Sequence, residues 1–305
     1  MAVPETISRR PATRADAAAV AALVAADETA LLGRPSRVVA GDMLAWWSRC
    51  DLETNSWLLE ENGRLVGAGW FEYRAHAPVA FFVGIVAAGQ KGRGLGGMLS
   101  DLGESHAASS GAERVHTWTL AADAAAAVLF ESRGFREVRR FYDMAIELDG
   151  PVPEPLLPDG LTLETFREED ARPFHDALSE AFKDHWEHHP RPFEQWWAER
   201  QKVHDYTPEL WYLVRDGEEI AATVINDPER SGGGYVGALG VRRPWRGLGL
   251  GKALLYHSFA EFQRRGQTRV TLGVDADSPT GATKLYERVG MHVELESVVF
   301  EKAVA

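Results

Sequence analysis

The sequence predicts an α/β protein built as two tandem copies of one domain, each a mixed sheet with helices on its faces. Three observations lead there. One ordered set of motifs occurs twice along the chain. Each set alternates stretches with strand and helix periodicity. In both sets a strand runs through a glycine-rich turn into an apolar helix.

The repeat is read motif by motif. Trp57-Leu58-Leu59 runs to Asn62-Gly63 and resumes with Leu65-Val66. Trp211-Tyr212-Leu213 runs to Asp216-Gly217 and resumes with Glu219-Ile220. Both predict β-hairpins, because Asn-Gly and Asp-Gly tolerate the positive φ of a tight turn. Lys91-Gly92-Arg93-Gly94-Leu95-Gly96 then matches Arg246-Gly247-Leu248-Gly249-Leu250-Gly251. Leu129-Phe130-Glu131 with Gly134 matches Leu285-Tyr286-Glu287 with Gly290. The offset stays near 155 residues, and chance does not hold so many features in register. Trp46-Trp47 and Trp196-Trp197 recur as pairs and read as packing residues, with a share in an acceptor pocket wall as the alternative.

Elements of the second copy follow in order. Leu161 to Phe166 alternates as a strand. Glu169 to Phe182 and Phe193 to Val203 have helical spacing. Two hairpin strands surround Asp216-Gly217, and Tyr235 to Val241 is a further strand. The glycine-rich turn opens a helix through about Arg264, with Leu254, Leu255, Phe259 and Phe262 on one face. Arg269 to Val274 is a buried strand, Thr280 to Arg288 a short helix stopped by Gly290, and His292 to Phe300 the closing strand. The first copy gives the same order, and its alanine-rich stretch Ala15 to Ala26 has strong helix propensity. Pro151, Pro153, Pro155 and Pro158 bar helix and sheet interior between the copies. The expected domains are therefore 1–149 and 161–305, joined by a stiff linker over 150–160.

Composition agrees. The 305 residues suit two domains of about 150 residues each. With 45% hydrophobic and 26% charged residues, both copies can bury a core. A net charge of -12 argues against nucleic acid or an anionic membrane as partner. Cys50 is the only cysteine, so a disulfide framework and a thiolate zinc site are excluded and a reducing cytoplasm fits. Met1 to Arg14 has no apolar run flanked by basic residues, and no stretch reaches the roughly 20 apolar residues of a membrane span.

The segment Val241 to Lys252 carries the main chemical signal. Glycines let a backbone approach a ligand closely, and free N–H groups at a helix start attract anions. Arg242, Arg246 and Lys252 add positive charge to this expected phosphate cradle. Lys252 is followed by Ala253, not Ser or Thr, which disfavours Mg-nucleotide binding. Gly92, Gly94 and Gly97 fit a dinucleotide fingerprint, with Asp123 further on, but Lys252 breaks it in the second copy. Both turns also follow several strands rather than the first strand of a βαβ unit. A tight strand-to-helix turn without ligand is the remaining alternative, and it is stronger for the first copy.

These residues resemble the GNAT superfamily of N-acetyltransferases. Its signature, Gln or Arg-x-x-Gly-x-Gly or Ala after a strand, is met by Arg246 to Gly251. Its downstream pattern is met by Val270 to Val274, Ser278, Ala282, Leu285-Tyr286-Glu287 and Gly290-Met291. The resemblance covers both copies and is similar to a two-lobe branch that acetylates an amine on a sugar-containing thiol. It implies two tandem domains, each a mixed, mostly antiparallel sheet flanked by helices. It implies acetyl-CoA as cosubstrate, no metal, and a small-molecule primary amine as acceptor. A protein or peptide acceptor, or an inactive acyl-CoA-binding regulator, are the alternatives.

By the same resemblance, the backbone around Leu239 and Val241 pairs with the pantetheine arm. Arg246, Gly247, Leu248, Gly249, Leu250, Gly251 and Lys252 hold the pyrophosphate. Ser278 stands where the family often has Asn. Tyr286 protonates the leaving thiolate, and the Val241 N–H is the candidate oxyanion donor. In the first copy Val86, Gly92, Gly94 and Gly96 keep a cradle, but Phe130 has no hydroxyl and Lys91 replaces the arginine. The second copy is thus expected to be catalytic and the first not. The general base stays open among Asp184, His185, Glu187, His188 and Asp227. The run Asp184 to His189 lacks the His-Glu-x-x-His spacing of a metal site and reads as a loop at the acceptor rim. Oligomeric state is not legible.

Overall fold

The computed structural model describes residues 6–73, 77–202 and 206–304. The chain forms two compact units, Met1–Arg140 with Glu296–Ala305, and Phe141–Leu295.

The first unit contains β1 (Ile7–Arg10), α1 (Ala17–Leu32), α2 (Ala40–Trp46), α3 (Leu52–Asn55), β2 (Ser56–Glu61), β3 (Arg64–Tyr73), β4 (Val79–Val86), α4 (Leu95–Ser110), β5 (Arg114–Leu120) and α5 (Ala124–Ser132). Strand β6 (Arg136–Glu147) leads into the second unit. That unit continues with β7 (Leu161–Thr165), α6 (Ala171–Ala181), α7 (Phe193–Gln201), β8 (Tyr212–Asp216), β9 (Glu219–Arg230), β10 (Gly233–Val241), α8 (Leu250–Arg264), β11 (Arg269–Asp275) and α9 (Ala282–Arg288). Strand β12 (His292–Ala303) ends the chain. The end of the helix expected to reach Val203 lies outside the described residues.

Both sheets have one topology. In the first unit β1, β2, β3 and β4 are successively antiparallel, β4 and β5 are parallel, and Ser297–Ala303 of β12 lies antiparallel on β5. In the second unit β7, β8, β9 and β10 are antiparallel, β10 and β11 are parallel, and Phe141–Glu147 of β6 lies antiparallel on β11. Each sheet is therefore mixed and mostly antiparallel. Each unit takes its last strand from the other sequence copy. A linear cut at the prolines, 1–149 and 161–305, differs from the spatial units by one strand each, because strand pairing is long-range and leaves no mark at the linker. Pro151 to Pro158 themselves form neither helix nor strand.

Turn chemistry sets the hairpins. Asn62 and Gly63 both have positive φ, 52° and 76°, the pattern of a type I′ turn. In the second hairpin Asp216 pairs with Glu219, so the loop is Gly217-Glu218, one residue later than the Asp-Gly pair suggests. Only Gly217 has positive φ there, 58°, as in a type II′ turn.

The parallel pairs are short, and this opens the site. β10 meets β11 only at Gly234 with Val270 and Tyr235 with Thr271. At Gly234 a Cβ would stand 2.4 Å from Phe262, so the glycine lets α8 sit directly on the strand. Between Val236 and Ala238 the β9–β10 register shifts, a bulge that bends β10 away from β11. Below the split, Leu254, Leu255, Phe259 and Phe262 are all buried with Val236, Val270 and Leu272, the apolar face expected of α8. On the other face Phe174, Trp196, Trp211 and Leu213 form a second cluster.

Candidate active site

A cavity of about 740 Å³ fills the split in the second unit. Its walls include Val236 to Val241 of β10, Gly273 to Asp275 of β11, the turn at Trp245 to Gly247 and Gly249 to Lys252, and Leu285, Tyr286 and Arg288 of α9. Among the expected residues Leu239, Val241, Arg246, Gly247, Gly249, Leu250, Gly251, Lys252 and Tyr286 line it. Leu248 and Ser278 do not. Leu248 is 49% exposed on the outside of the turn. The Ser278 hydroxyl lies 3.0 Å from that of Thr280.

The strand side presents open backbone. Arg242 N–H donates to Ala221 O across β9 at 3.0 Å. Alternation along an antiparallel strand then turns the N–H groups of Leu239 and Val241 the other way, into the split where β11 has left. The Val241 carbonyl on that side accepts from Arg246 Nε at 3.1 Å.

The turn side is a cradle. Gly247 and Gly249 have φ of 81° and 85°, and nothing stands within 4 Å of a Cβ built on either. These positions suit a residue without Cβ and leave space above the backbone for a ligand. Gly249 caps the start of α8, whose first N–H groups lack helical partners. Gly251 has a further use: a Cβ there would lie 3.0 Å from Leu285 Cδ2, so its absence seats α8 against α9 beside Tyr286.

The arginines correct a simple charge reading. Arg246 does not project freely. Besides Val241 O it reaches Ala181 O at 3.2 Å and Asp184 Oδ2 at 3.3 Å, tying the turn to the ends of β10 and α6. Arg242 bonds Glu180 at 2.7 Å and lies 4.8 Å over the Trp245 ring. Both brace the cradle. Lys252 is exposed, its ammonium 5.3 Å from the Tyr256 ring, with no carboxylate partner among the described residues.

Tyr286 is buried in the cavity wall, and burial pushes its hydroxyl up to about 12, with Tyr235 nearby adding to the effect. Of the candidate bases only His185 lines this cavity, its ring 4.6 Å from Phe182. Hydrogen bonds from Arg243 and Arg246 hold the Asp184 carboxyl below its ordinary range, which makes it a poor base. Glu187 accepts from His189 Nε2 at 2.8 Å. Asp227 pairs with Arg230 at 3.6 Å on β9. The run Asp184 to His189 thus faces several directions. Phe141, Phe182 and Gly237 also line the cavity and were not singled out in the sequence. Only the register shift at Gly237 has a local signal, a glycine inside a strand.

The first unit has a smaller cavity, about 330 Å³, lined by Val86, Gly92, Gly94 and Gly96 together with Asp27, Lys91, Asp123 and Phe130. Its cradle geometry matches, with φ of 79° at Gly92 and 84° at Gly94. Its chemistry does not. Lys91 is held between Asp27 at 2.7 Å and Asp123 at 2.8 Å, so carboxylates face the cradle. Phe130 packs among Phe82, Phe135 and Phe300.

Comparison with known proteins defines the class. The sequence matches the Acetyltransferase (GNAT) family over residues 23–135 and again over 171–291. The chain belongs to this family, and it is an N-acetyltransferase with two GNAT domains, a class whose cosubstrate is acetyl-CoA. It is 33% identical over 245 residues to the mycothiol acetyltransferase of Streptomyces coelicolor, covering 75% of this chain and 74% of that protein. It is 30% identical over 256 residues to that of Geodermatophilus obscurus, covering 79% and 80%. A GCN5-related N-acetyltransferase from Sphaerobacter thermophilus superposes with a TM-score of 0.85 at 35% identity, over 99% of this chain and 97% of that one. A tandem GNAT protein from the clavulanic acid biosynthesis pathway, 17% identical, shares the fold with a TM-score of 0.76 over 98% and 99% of the two chains. Among the described residues no helix is long and apolar enough to cross a membrane.

Proposed function

We propose that the second unit transfers the acetyl group of acetyl-CoA to a primary amine of a small molecule, by direct attack of the amine on the thioester. The observation that carries this reading is the split between β10 and β11. It brings open strand N–H groups, a glycine cradle and Tyr286 to one cavity. The residues fit an elongated ligand with a phosphate at one end. Gly247 and Gly249 leave the room a phosphate needs, and Leu239 and Val241 offer amide-matching backbone along the split.

When bound, acetyl-CoA supplies an acyl carbon already activated as a thioester. The chain's residues do the rest. His185 takes the proton that the acceptor ammonium must lose. The Val241 N–H donates to the carbonyl oxygen, where negative charge builds. Tyr286 gives its hydroxyl proton to the departing sulfur. Its high pKa keeps that proton in place until it is needed. The tyrosinate left behind is reprotonated by the second proton that the acceptor nitrogen sheds as the amide forms. The first unit, with Phe130 in place of Tyr286 and carboxylates in front of its cradle, is assigned no transfer.

The test is an acetyl-CoA turnover screen against amines, amino sugars, aminoglycosides and peptides, read by free-thiol release. Turnover with small amines supports the assignment. Turnover confined to peptides would move it to a protein acetyltransferase. CoA binding without turnover of any amine would leave a binding protein.

A further inference from the structure

A second cavity of about 160 Å³ lies beside the first in the same unit, and Phe182 and Ala238 form walls of both. Its lining is unusual for a chain with a net charge of -12. It contains Arg191, Arg200, His175, His188 and His189 with the Ser179 hydroxyl, and no carboxylate. Helices α6 and α7 and the loop between them supply these groups, and Trp196 forms an apolar wall.

The charges are not equally committed. Arg191 is paired with Glu199 at 2.7 Å, and His189 with Glu187 at 2.8 Å. His175 Nε2 lies 3.0 Å from Arg191 O, and its Nδ1 lies 3.1 Å from Asp176 Oδ1. The Arg200 guanidinium makes no hydrogen bond or ion pair among the described residues; it lies 5.9 Å from the Trp211 ring. The His188 ring has no hydrogen-bond partner among the described residues either. Burial, with Arg191 and Arg230 nearby and Asp227 opposing, lowers the Arg200 pKa. Burial and the neighbouring His185, His189, Lys183 and Arg191 lower that of His188. Burial leads in both, and for His188 the remaining causes are all basic neighbours.

We propose that this cavity binds an anionic group of the acceptor, so that the substrate is a primary amine bearing a carboxylate or phosphate, anchored by Arg200 with His188 and Ser179. The proposal rests on the transfer reading above and adds a substrate class to it. Size agrees: whole-ligand pockets run to about 300–1,000 Å³, and this one suits a single polar group. Position agrees as well. Phe182 and Ala238 line both cavities, so an anion in the smaller one stands next to the larger. A guanidinium suits either oxyanion, since its fork can donate two parallel hydrogen bonds.

The experiment compares matched amines on the full chain: an amino acid with its amide, and an amino sugar phosphate with the unphosphorylated sugar. The expected result is a kcat/KM higher by about 10–100-fold for the anionic member, carried by KM. Preference in one series alone names the anion. Arg200→Gln should bring the members of a pair to within a few fold of each other, and Arg200→Lys should restore part of the difference. CoA binding by calorimetry shows that each variant is folded. A further arm needs neither variant nor turnover. Inorganic phosphate titrated into the CoA-saturated chain should bind at one saturable site, and it should compete with the acceptor but not with acetyl-CoA. Equal use of both members in both series, or no saturable phosphate binding, overturns the proposal while leaving amine acetylation intact. No CoA binding at all would instead remove the transfer reading and this one with it.

Discussion

Tyr286 and Phe130 differ by one hydroxyl at equivalent places in the two units, and that difference is the sharpest available test of the chemistry. Tyr286→Phe keeps the ring and its packing, so the fold should survive. It should lower kcat by about 10²–10³-fold, the lower part of the range for general acid catalysis, with little change in CoA affinity. Unchanged kcat with chemistry rate-limiting would assign the proton to another group. The hydroxyl's pKa adds a pH prediction. An ordinary tyrosine loses its proton around pH 10, and burial lifts this one to about 12. The alkaline side of kcat should therefore stay flat through about pH 10. A fall centred there would mean an unshifted acid. The pair Leu285-Tyr286 was legible as a motif. The role of Arg246 as a brace rather than a free cation was not, because its partners Ala181 and Asp184 lie more than 60 positions away in sequence.

At the scale of elements, the two cradles share a backbone and differ in what surrounds them. Gly249 and Gly94 have φ of 85° and 84°, and nothing stands within 4 Å of a Cβ placed on Gly249. Valine at either position carries the same left-handed strain, about 1–3 kcal/mol, so each variant controls for the other. Gly249→Val should weaken CoA binding at least about tenfold and remove turnover, because its branched side chain enters the space above the turn. Gly94→Val should spare most of the activity. Equal loss in two folded variants, followed by free-thiol release, would contradict the division of labour. Strands, helices and the cradle were readable because periodicity, turn residues and helix-start glycines are local. The second hairpin fell one residue from its sequence reading because Gly217 alone satisfies the turn. The small cationic cavity could not be read. His175, Arg191 and Arg200 belong to segments whose meeting depends on how α6 and α7 pack.

For the whole molecule, the order of strands along the chain is not their order in the units, and this yields a prediction about folding. The proline-rich segment invites a cut that separates 1–149 from 161–305. Such a cut removes Phe141–Glu147 from the sheet of the second unit, where all seven residues pair with Arg269–Asp275. It also strips buried Arg269 of its 2.6 Å partner Glu147, leaving Glu294 as its one carboxylate among the described residues. The edge of β11 would be bared with apolar Val270, Leu272 and Val274, and the Ser297–Ala303 segment of β12 would lose its own partner β5. An exposed apolar strand edge is a template for aggregation, and a buried cation without its carboxylate is costly. A fragment of 161–305 should therefore be insoluble or fail to bind CoA. A fragment of 141–295, which keeps the Phe141–Glu147 part of β6 and ends where the second unit ends, should show a cooperative melt that CoA shifts upward and ATP-Mg or NAD does not. The comparison is by thermal melting of the two fragments with and without each ligand. A stable, CoA-binding 161–305 would show that the exchanged strand is dispensable and that the sequence copies, rather than the spatial units, are the folding domains.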